Sequence, residues 1–271
     1  MLANPHAVGD KAQRVQRMFG AIARSYDLNN RLHSLWMDQH WRNVAVRMAN
    51  PTERDRLVVD VACGTGDLTL KFARHFAQRN MMSHSCIIGI DFTPAMLPIA
   101  SAKSERLNHY WQYHKWKTLW PVSFIQGDAL ALPLADRSAD IVSIAFGIRN
   151  VSDWGKAIGE FARVLKPGGR LVILEFSLPW NAVLRGLYNF YFRRVLPRTA
   201  TWISGDTTGA YKYLPELVNT FISREAMVER MAAAGFEGIE ARALTFGVCV
   251  CYKGVRKPDE RPPANDERND A

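Results

Sequence analysis

Three aspartates each close a short apolar run. Asp60 follows Leu57-Val58-Val59, Asp91 follows Ile87-Ile88-Gly89-Ile90, and Asp128 follows Phe124-Ile125-Gln126-Gly127. Behind Asp60 the chain continues Val61-Ala62-Cys63-Gly64-Thr65-Gly66-Asp67-Leu68. Gly64 and Gly66 have no Cβ, so the backbone there can turn sharply and a ligand can approach it closely. The helical pattern that follows would aim its first amides into the same space. A dinucleotide fingerprint is incomplete, because its third glycine would fall at Thr69, and Asp67 stands where a phosphate-binding loop needs lysine. Acids at both ends of the loop (Asp60, Asp67) and no base within it suit a cationic ligand better than a pyrophosphate. S-adenosylmethionine, with its sulfonium and amino group, is such a ligand. Taken alone, the loop also reads as an ordinary strand-to-helix turn. Asp91 is placed to accept both ribose hydroxyls. Asp128 is placed to accept from an adenine amino group, with the Ala129 backbone amide beside it.

These groups need a sheet to hold them. The apolar runs read as buried parallel strands, with crossover helices between them. Strand four, Asp140 to Phe146, carries Ala145 near its end and leads into Gly147-Ile148-Arg149-Asn150. Ligands in open α/β sheets bind outside the carboxyl ends of the strands, so Asp60, Asp91, Asp128 and Arg149 are expected around one crevice. A helix is predicted over Trp154–Leu165, stopped by Lys166-Pro167-Gly168-Gly169, with strand five over Arg170–Phe176. Two closing strands are predicted over Ile239–Leu244 and Phe246–Tyr252.

The domain plan is a helical cap over 1–50, a catalytic domain over 51–254 with an aromatic-basic insertion at 103–121, and a charged, disordered tail over 255–271. In the cap, Tyr26-Asp27-Leu28-Asn29-Asn30 supplies many hydrogen-bonding groups. It reads as a lid over the ligand, with plain packing as the alternative. The insertion interleaves Tyr110, Trp111, Trp116 and Trp120 with His109, Lys115 and Lys117, which suits a helix extension or a lipid interface equally and, third, stacking on nucleic-acid bases, which nothing else in the chain supports. The run Leu184 to Val195 has a broad apolar face among Arg185, Arg193 and Arg194. It reads as a substrate wall, a membrane-facing helix or a core helix. Tyr211 sits in a loop able to close over a substrate.

The chain has 271 residues, is 48% hydrophobic and 23% charged, and carries a formal net charge of +9, which fits a globular protein. The first residues lack the apolar stretch of a secretory signal, and no run approaches a membrane span. Cys63, Cys86, Cys249 and Cys251 follow no zinc spacing and read as reduced thiols. No metal is expected.

With these motifs assembled, the chain resembles the C-methyltransferases of menaquinone and ubiquinone biosynthesis. The likeness runs from about Val15 to Gly254. It is carried by Met18 to Asn30, by the loop Val59 to Thr69, by Phe146-Gly147-Ile148-Arg149-Asn150-Val151, by Arg163 to Leu171, by Leu174-Glu175-Phe176-Ser177, by Tyr211 to Glu216 and by Leu244 to Val248. The 103–121 segment is longer and more aromatic than is usual in the family, and Leu217 departs from its pattern. The resemblance implies a Rossmann-like class I methyltransferase fold: a mostly parallel sheet with helices on both faces, an antiparallel C-terminal strand and an N-terminal helical lid. It implies S-adenosylmethionine as methyl donor, contacted by Asp60, Gly64, Thr65, Gly66, Asp91, Asp128, Ala129 and Ala145. The substrate implied is a prenylated quinol, demethylmenaquinol ahead of the benzoquinol of ubiquinone synthesis, methylated at a ring carbon. A small-molecule O- or N-methyltransferase and an RNA methyltransferase are the alternatives, although no nucleic-acid partner is expected. Arg149 is the candidate to stabilise a phenolate, with a structural ion pair to Asp27 or Asp153 as its other reading. Asn150 would orient a hydroxyl or a water. Tyr26, Asp27 and Tyr211 are the lid and substrate residues, and His40 is a weak candidate base. The implied location is the cytoplasm, with reversible contact at the inner face of the cell membrane and a homodimer left open.

Overall fold

A computed structural model describes residues 11–79, 86–113, 121–205 and 222–258. Three helices come first: α1 (Lys11–Ile22), α2 (Tyr26–His33) and α3 (Met37–Ala49). Then β1 (Leu57–Val61), α4 (Asp67–Gln78), β2 (Cys86–Asp91), α5 (Leu97–Tyr113), β3 (Val122–Gln126), β4 (Ala139–Ala145), α6 (Trp154–Val164) and β5 (Leu165–Phe176) alternate. After β5 come α7 (Ala182–Phe190), a π turn over Tyr191–Val195, α8 (Leu196–Ser204) and α9 (Arg224–Ala233). The chain closes with β6 (Phe236–Leu244) and β7 (Cys249–Arg256).

The strands form one seven-stranded sheet in the order β3-β2-β1-β4-β5-β7-β6. β1 pairs in parallel with both β2 and β4, in register Asp60↔Gly89 and Asp60↔Ser143. β7 runs antiparallel to β5 and to β6. Strand order therefore reverses beside β1, and a crevice opens between the ends of β1 and β4. This mixed sheet with its antiparallel C-terminal strand is the implied class I fold.

Near-continuous Val/Ile/Leu runs form strands that are buried on both faces. One face packs Phe72 and Phe76 of α4 with Trp41 and Val44 of α3. The other packs Ile158 and Phe161 of α6 with Met227 and Met231 of α9. A smaller cluster joins Met18 and Ile22 of α1 to Phe192, Leu196 and Ala200. Asp153 caps α6 by accepting from the Lys156 amide at 2.9 Å, and Asn181 caps α7.

Several boundaries differ from the sequence expectation. α5 runs through Tyr113, so the aromatic-basic segment begins inside a helix, with Trp111 buried against the core. Its remainder, 114–120, lies outside the described residues. β5 begins at Leu165, because Leu165 already pairs with Ala139 and a register shift absorbs the glycines. Phe246 lies in a 3₁₀ turn with φ of 56° instead of a strand, and β7 starts at Cys249 and extends to Arg256. α7 leaves Val183, Leu187 and Phe190 exposed, while Tyr188, Tyr191 and Phe192 of the same run pack on the cluster of Met18 and Ile22.

Candidate active site

A cavity of about 120 Å³ sits at the reversal point, lined by the ends of four strands. Val61 and Ala62 come from β1, Asp91 from β2, Gly127, Asp128 and Ala129 from the turn after β3, and Ala145, Phe146 and Gly147 from β4. α1 covers it with Ala12, Val15 and Phe19, and α2 adds Tyr26. Gly64 reaches the wall with φ of +56°, and a Cβ there would stand 4.0 Å from the Tyr26 ring. Of the residues expected at the cofactor, the cavity gathers Gly64, Asp91, Asp128, Ala129 and Ala145, together with Tyr26 and Asn150.

Asp91 accepts from the Gly64 amide and from the Thr93 amide, each at 2.7 Å. Burial pushes its carboxyl upward, against those two bonds. Asp128 accepts from the Leu130 amide at 2.9 Å, which fixes the turn beside the cavity. The Asn150 amide oxygen is buried and has no partner. A buried acceptor left open in such a cavity calls for a ligand donor. Two carboxylates for hydroxyl and amine donors, an open amide oxygen and an apolar wall fit the ribose, adenine and amino groups of S-adenosylmethionine.

The other expected cofactor residues stand behind this wall. Asp60 is buried and accepts from Thr69 Oγ1 at 2.6 Å and Ser143 Oγ at 2.8 Å. Burial pushes its pKa up to about 6. Gly66 has φ of +81°, and a Cβ there would meet Ala100 and Phe124 at 3.0 Å, so this glycine serves close packing. Thr65 donates to Asp27 at 2.6 Å and accepts from Lys103 Nζ at 3.0 Å. Lys103 also holds Asp27 at 2.5 Å and Asp67 at 2.7 Å. Arg31 bonds both Asp67, at 2.6 Å, and Asp38. The cap is thus tied by charge to the start of α4. Burial alone would raise Asp67, but Arg42, Lys103 and Arg31 hold it well below the usual carboxylate range.

A second cavity, of about 230 Å³, adjoins the first. Its lining is largely aromatic and apolar: Leu35, Met37, Trp41, Phe146, Phe176, Tyr188, Phe192, Leu196 and Val248. Tyr26 and Phe146 line both cavities. Phe146 holds φ of 58°, a conformation a bulky side chain rarely adopts, which marks the partition as strained. The Arg42 guanidinium lies 5.1 Å from the Phe146 ring centre and 2.7 Å from Asp38.

Arg149 lines neither cavity. It is 4% exposed and bonds Glu175, itself 1% exposed, so its ion-pair partner is Glu175 and not Asp27 or Asp153. Its Cζ stands 5.0 Å from the centre of the Phe176 ring, and its Nε is buried without a partner. Burial pushes the Tyr26 and Tyr188 hydroxyls up; Asn30, Arg42 and then Arg149 work against that push at Tyr26, while at Tyr188 Arg149 opposes it and Glu175 adds to it. His40 is exposed on α3 and lines neither cavity, whereas His33 lines the second, its Nδ1 2.8 Å from the Tyr191 hydroxyl. Sequence reasoning missed His33, Glu175 and Lys103, since each is defined by a long-range partner. Tyr211 lies outside the described residues. Among the described residues no group of His, Cys, Asp or Glu is arranged to hold a metal.

The sheet order and the acid-lined crevice at its reversal define an S-adenosylmethionine-dependent methyltransferase of class I. A methyltransferase from Thermotoga maritima shares the fold, with a TM-score of 0.54 at 18% identity over 89% of this chain and 100% of that one. One from Aquifex aeolicus gives 0.51 at 17% identity, over 77% and 85%. Residues 7–256 match the ubiE/COQ5 methyltransferase family, and the chain belongs to it. A Thermus thermophilus demethylmenaquinone methyltransferase is 44% identical over 88% of this chain and all of its own length. The Deinococcus radiodurans protein of the same name is 41% identical over 92% and 95%. A Geobacter ubiquinone/menaquinone biosynthesis C-methyltransferase is 38% identical over 93% and 100%.

Proposed function

We propose that this protein methylates a ring carbon of a prenylated quinol, demethylmenaquinol ahead of the corresponding benzoquinol. The observation that carries the reading is the shared wall of Tyr26 and Phe146. A methyl donor held in the first cavity would lie beside that wall, next to an aromatic, apolar cavity of about 230 Å³ sized for a ring and the first part of its tail. The names of the relatives point to the same substrate class.

S-adenosylmethionine supplies an electrophilic methyl. Asp91, Asp128 and Ala129 bind and orient it, and α1 with Tyr26 shuts out water. On the other side, Trp41, Phe176 and Phe192 hold the quinol ring, so that its carbon lies in line with the methyl. A ring carbon becomes nucleophilic only when a neighbouring hydroxyl gives up its proton. The guanidinium of Arg149, offset in part by its partner Glu175, favours the phenolate. Asn150 orients the donor side of the wall. Arg149 therefore acts from behind Phe176, without contact to the substrate. Leu35, 81% exposed, lines the second cavity, and the exposed apolar side chains of α2 and α7 would serve delivery of a lipid-tailed substrate from a membrane surface.

The test is methyl transfer from labelled S-adenosylmethionine to a reduced short-tail demethylmenaquinone and to the matching demethylated benzoquinol. Turnover of the naphthoquinol is expected, and turnover of the benzoquinol alone would reassign the ring. Cofactor binding in calorimetry without turnover of either would keep the fold reading and sink the substrate.

A further inference from the structure

Lys71 and Arg74 of α4 and Arg106 of α5 open onto a groove of about 680 Å³, away from the two cavities. Arg31 and Lys103 bring its cations to five, against one acid, Asp67. Arg31 and Lys103 are engaged with Asp67 at 2.6 and 2.7 Å. Lys71, Arg74 and Arg106 have no hydrogen bond or ion pair to a described residue. Burial, then the guanidinium groups of Arg74 and Arg42, lower the Lys71 pKa, which marks crowded positive charge. Tyr110 stands at the rim, 57% exposed.

A concave wall that gathers three cations with no partner among the described residues concentrates positive potential, and it recruits anions from solution. Phosphate oxygens accept charge-assisted hydrogen bonds from Lys and Arg together. A ligand carrying two phosphate groups offers enough acceptor oxygens to engage the three cations together. The acid that lines the groove among the described residues, Asp67, is committed to Arg31 and Lys103, and its neighbours Asp27 and Asp38 are committed to Lys103 and to Arg31 and Arg42.

We propose that the groove between α4 and α5 binds a ligand carrying at least two phosphate charges. Two sources share this chemistry: a free diphosphate and the headgroups of anionic phospholipids. The site is separate from the proposed methyl transfer and does not rest on the identity of the quinol.

The full chain is titrated with inorganic pyrophosphate by calorimetry, and floated with phosphatidylglycerol or phosphatidylcholine vesicles. The comparison is a triple variant, Lys71→Gln, Arg74→Gln and Arg106→Gln, with its melting temperature and S-adenosylhomocysteine binding as fold controls. A loss of affinity of about tenfold or more is expected in the variant. Loss of pyrophosphate binding assigns a free diphosphate, and loss of binding to phosphatidylglycerol vesicles alone assigns lipid headgroups. If the triple variant does not fold, Lys71→Glu alone should show the same loss. Absence of binding to either probe overturns the proposal, as does equal binding by wild type and variant. Capture of a short RNA with no response to pyrophosphate or vesicles overturns it in favour of nucleic acid.

Discussion

Arg149 and Glu175 form a buried pair behind Phe176, and such a pair matters most when half of it is removed. Glu175→Gln leaves a guanidinium in a dry setting and is expected to cost about 3–5 kcal/mol of stability, measured by denaturant unfolding. Arg149→Gln should in addition lower kcat more than it raises KM, because it withdraws the field from the phenolate. An equal loss in both variants with kcat intact would leave the pair purely structural. Asp60 gives a pH signature. Its folded pKa, about 6, stands above the ordinary 3.8. Between those values the folded state binds more protons than the unfolded, so its contribution is full below pH 4 and is lost as pH rises through 6. The span corresponds to about 3 kcal/mol, and Asp60→Asn should flatten the slope of stability over pH 4 to 6. A slope unchanged in that variant would rule out Asp60 as its source. At this scale the sequence announced the residues that end strands. The sheet alone brings Gly64, Asp91, Asp128 and Ala145 to one cavity. It could not announce partners. Arg149 meets Glu175 across 26 positions, Thr65 meets Asp27 across 38, and no local pattern carries such pairings.

Elements were legible where burial wrote a period into the chain. The runs of β1, β2 and β4 are apolar because both their faces are covered, and the helical spacing of α6 gives it one apolar face. Elements were less legible where long-range pairing decides the outcome. Lys166-Pro167-Gly168-Gly169 has the composition of a stop, yet Leu165 is drawn into the sheet by Ala139. Phe246 has strand propensity, but the exit from β6 needs a left-handed turn. The cap is the element whose attachment follows most directly from its bonds. Asp27 and Arg31 of α2 reach Thr65, Asp67 and Lys103 of the body, so the cap and the Gly64–Gly66 loop are held by one set of bonds. Lys103→Met and Asp27→Asn should each weaken S-adenosylhomocysteine binding by about tenfold. The double variant should lose little more than either alone, since the two groups share one bond. Additive losses in calorimetry would show that Lys103 and Asp27 act separately.

At the scale of the whole molecule, the apolar surface is unevenly spent. Val183, Leu187 and Phe190 of α7 are 72%, 63% and 64% exposed, while Trp202 of α8 reaches 86%. Leu35, 81% exposed, lines the second cavity, whose lining also takes Tyr188 from α7 and Leu196 from α8. α2 packs on α8, which places both helices at that cavity. Among the described residues no helix is long and apolar enough to cross a membrane, so any lipid contact through these helices is made from the surface. A net charge of +9 adds attraction to anionic headgroups and makes the contact sensitive to salt. Wild type is therefore expected to co-sediment with anionic vesicles at low salt and to be released as salt rises. Replacing Leu187 and Phe190 by Ser removes two side chains worth about 1.5–3 kcal/mol each when fully buried, and part of that when they sit at an interface. Vesicle binding should fall by about tenfold or more. The decisive comparison is kinetic. In this variant KM should rise for a long-tail quinol presented in vesicles and stay unchanged for a short-tail quinol in solution. The ring still meets the same Tyr26 and Phe146 wall, and only delivery has been lost. Equal KM values for wild type and variant on the vesicle substrate would mean that the quinol reaches the cavity by another route, and that the exposed face of α7 serves a different contact.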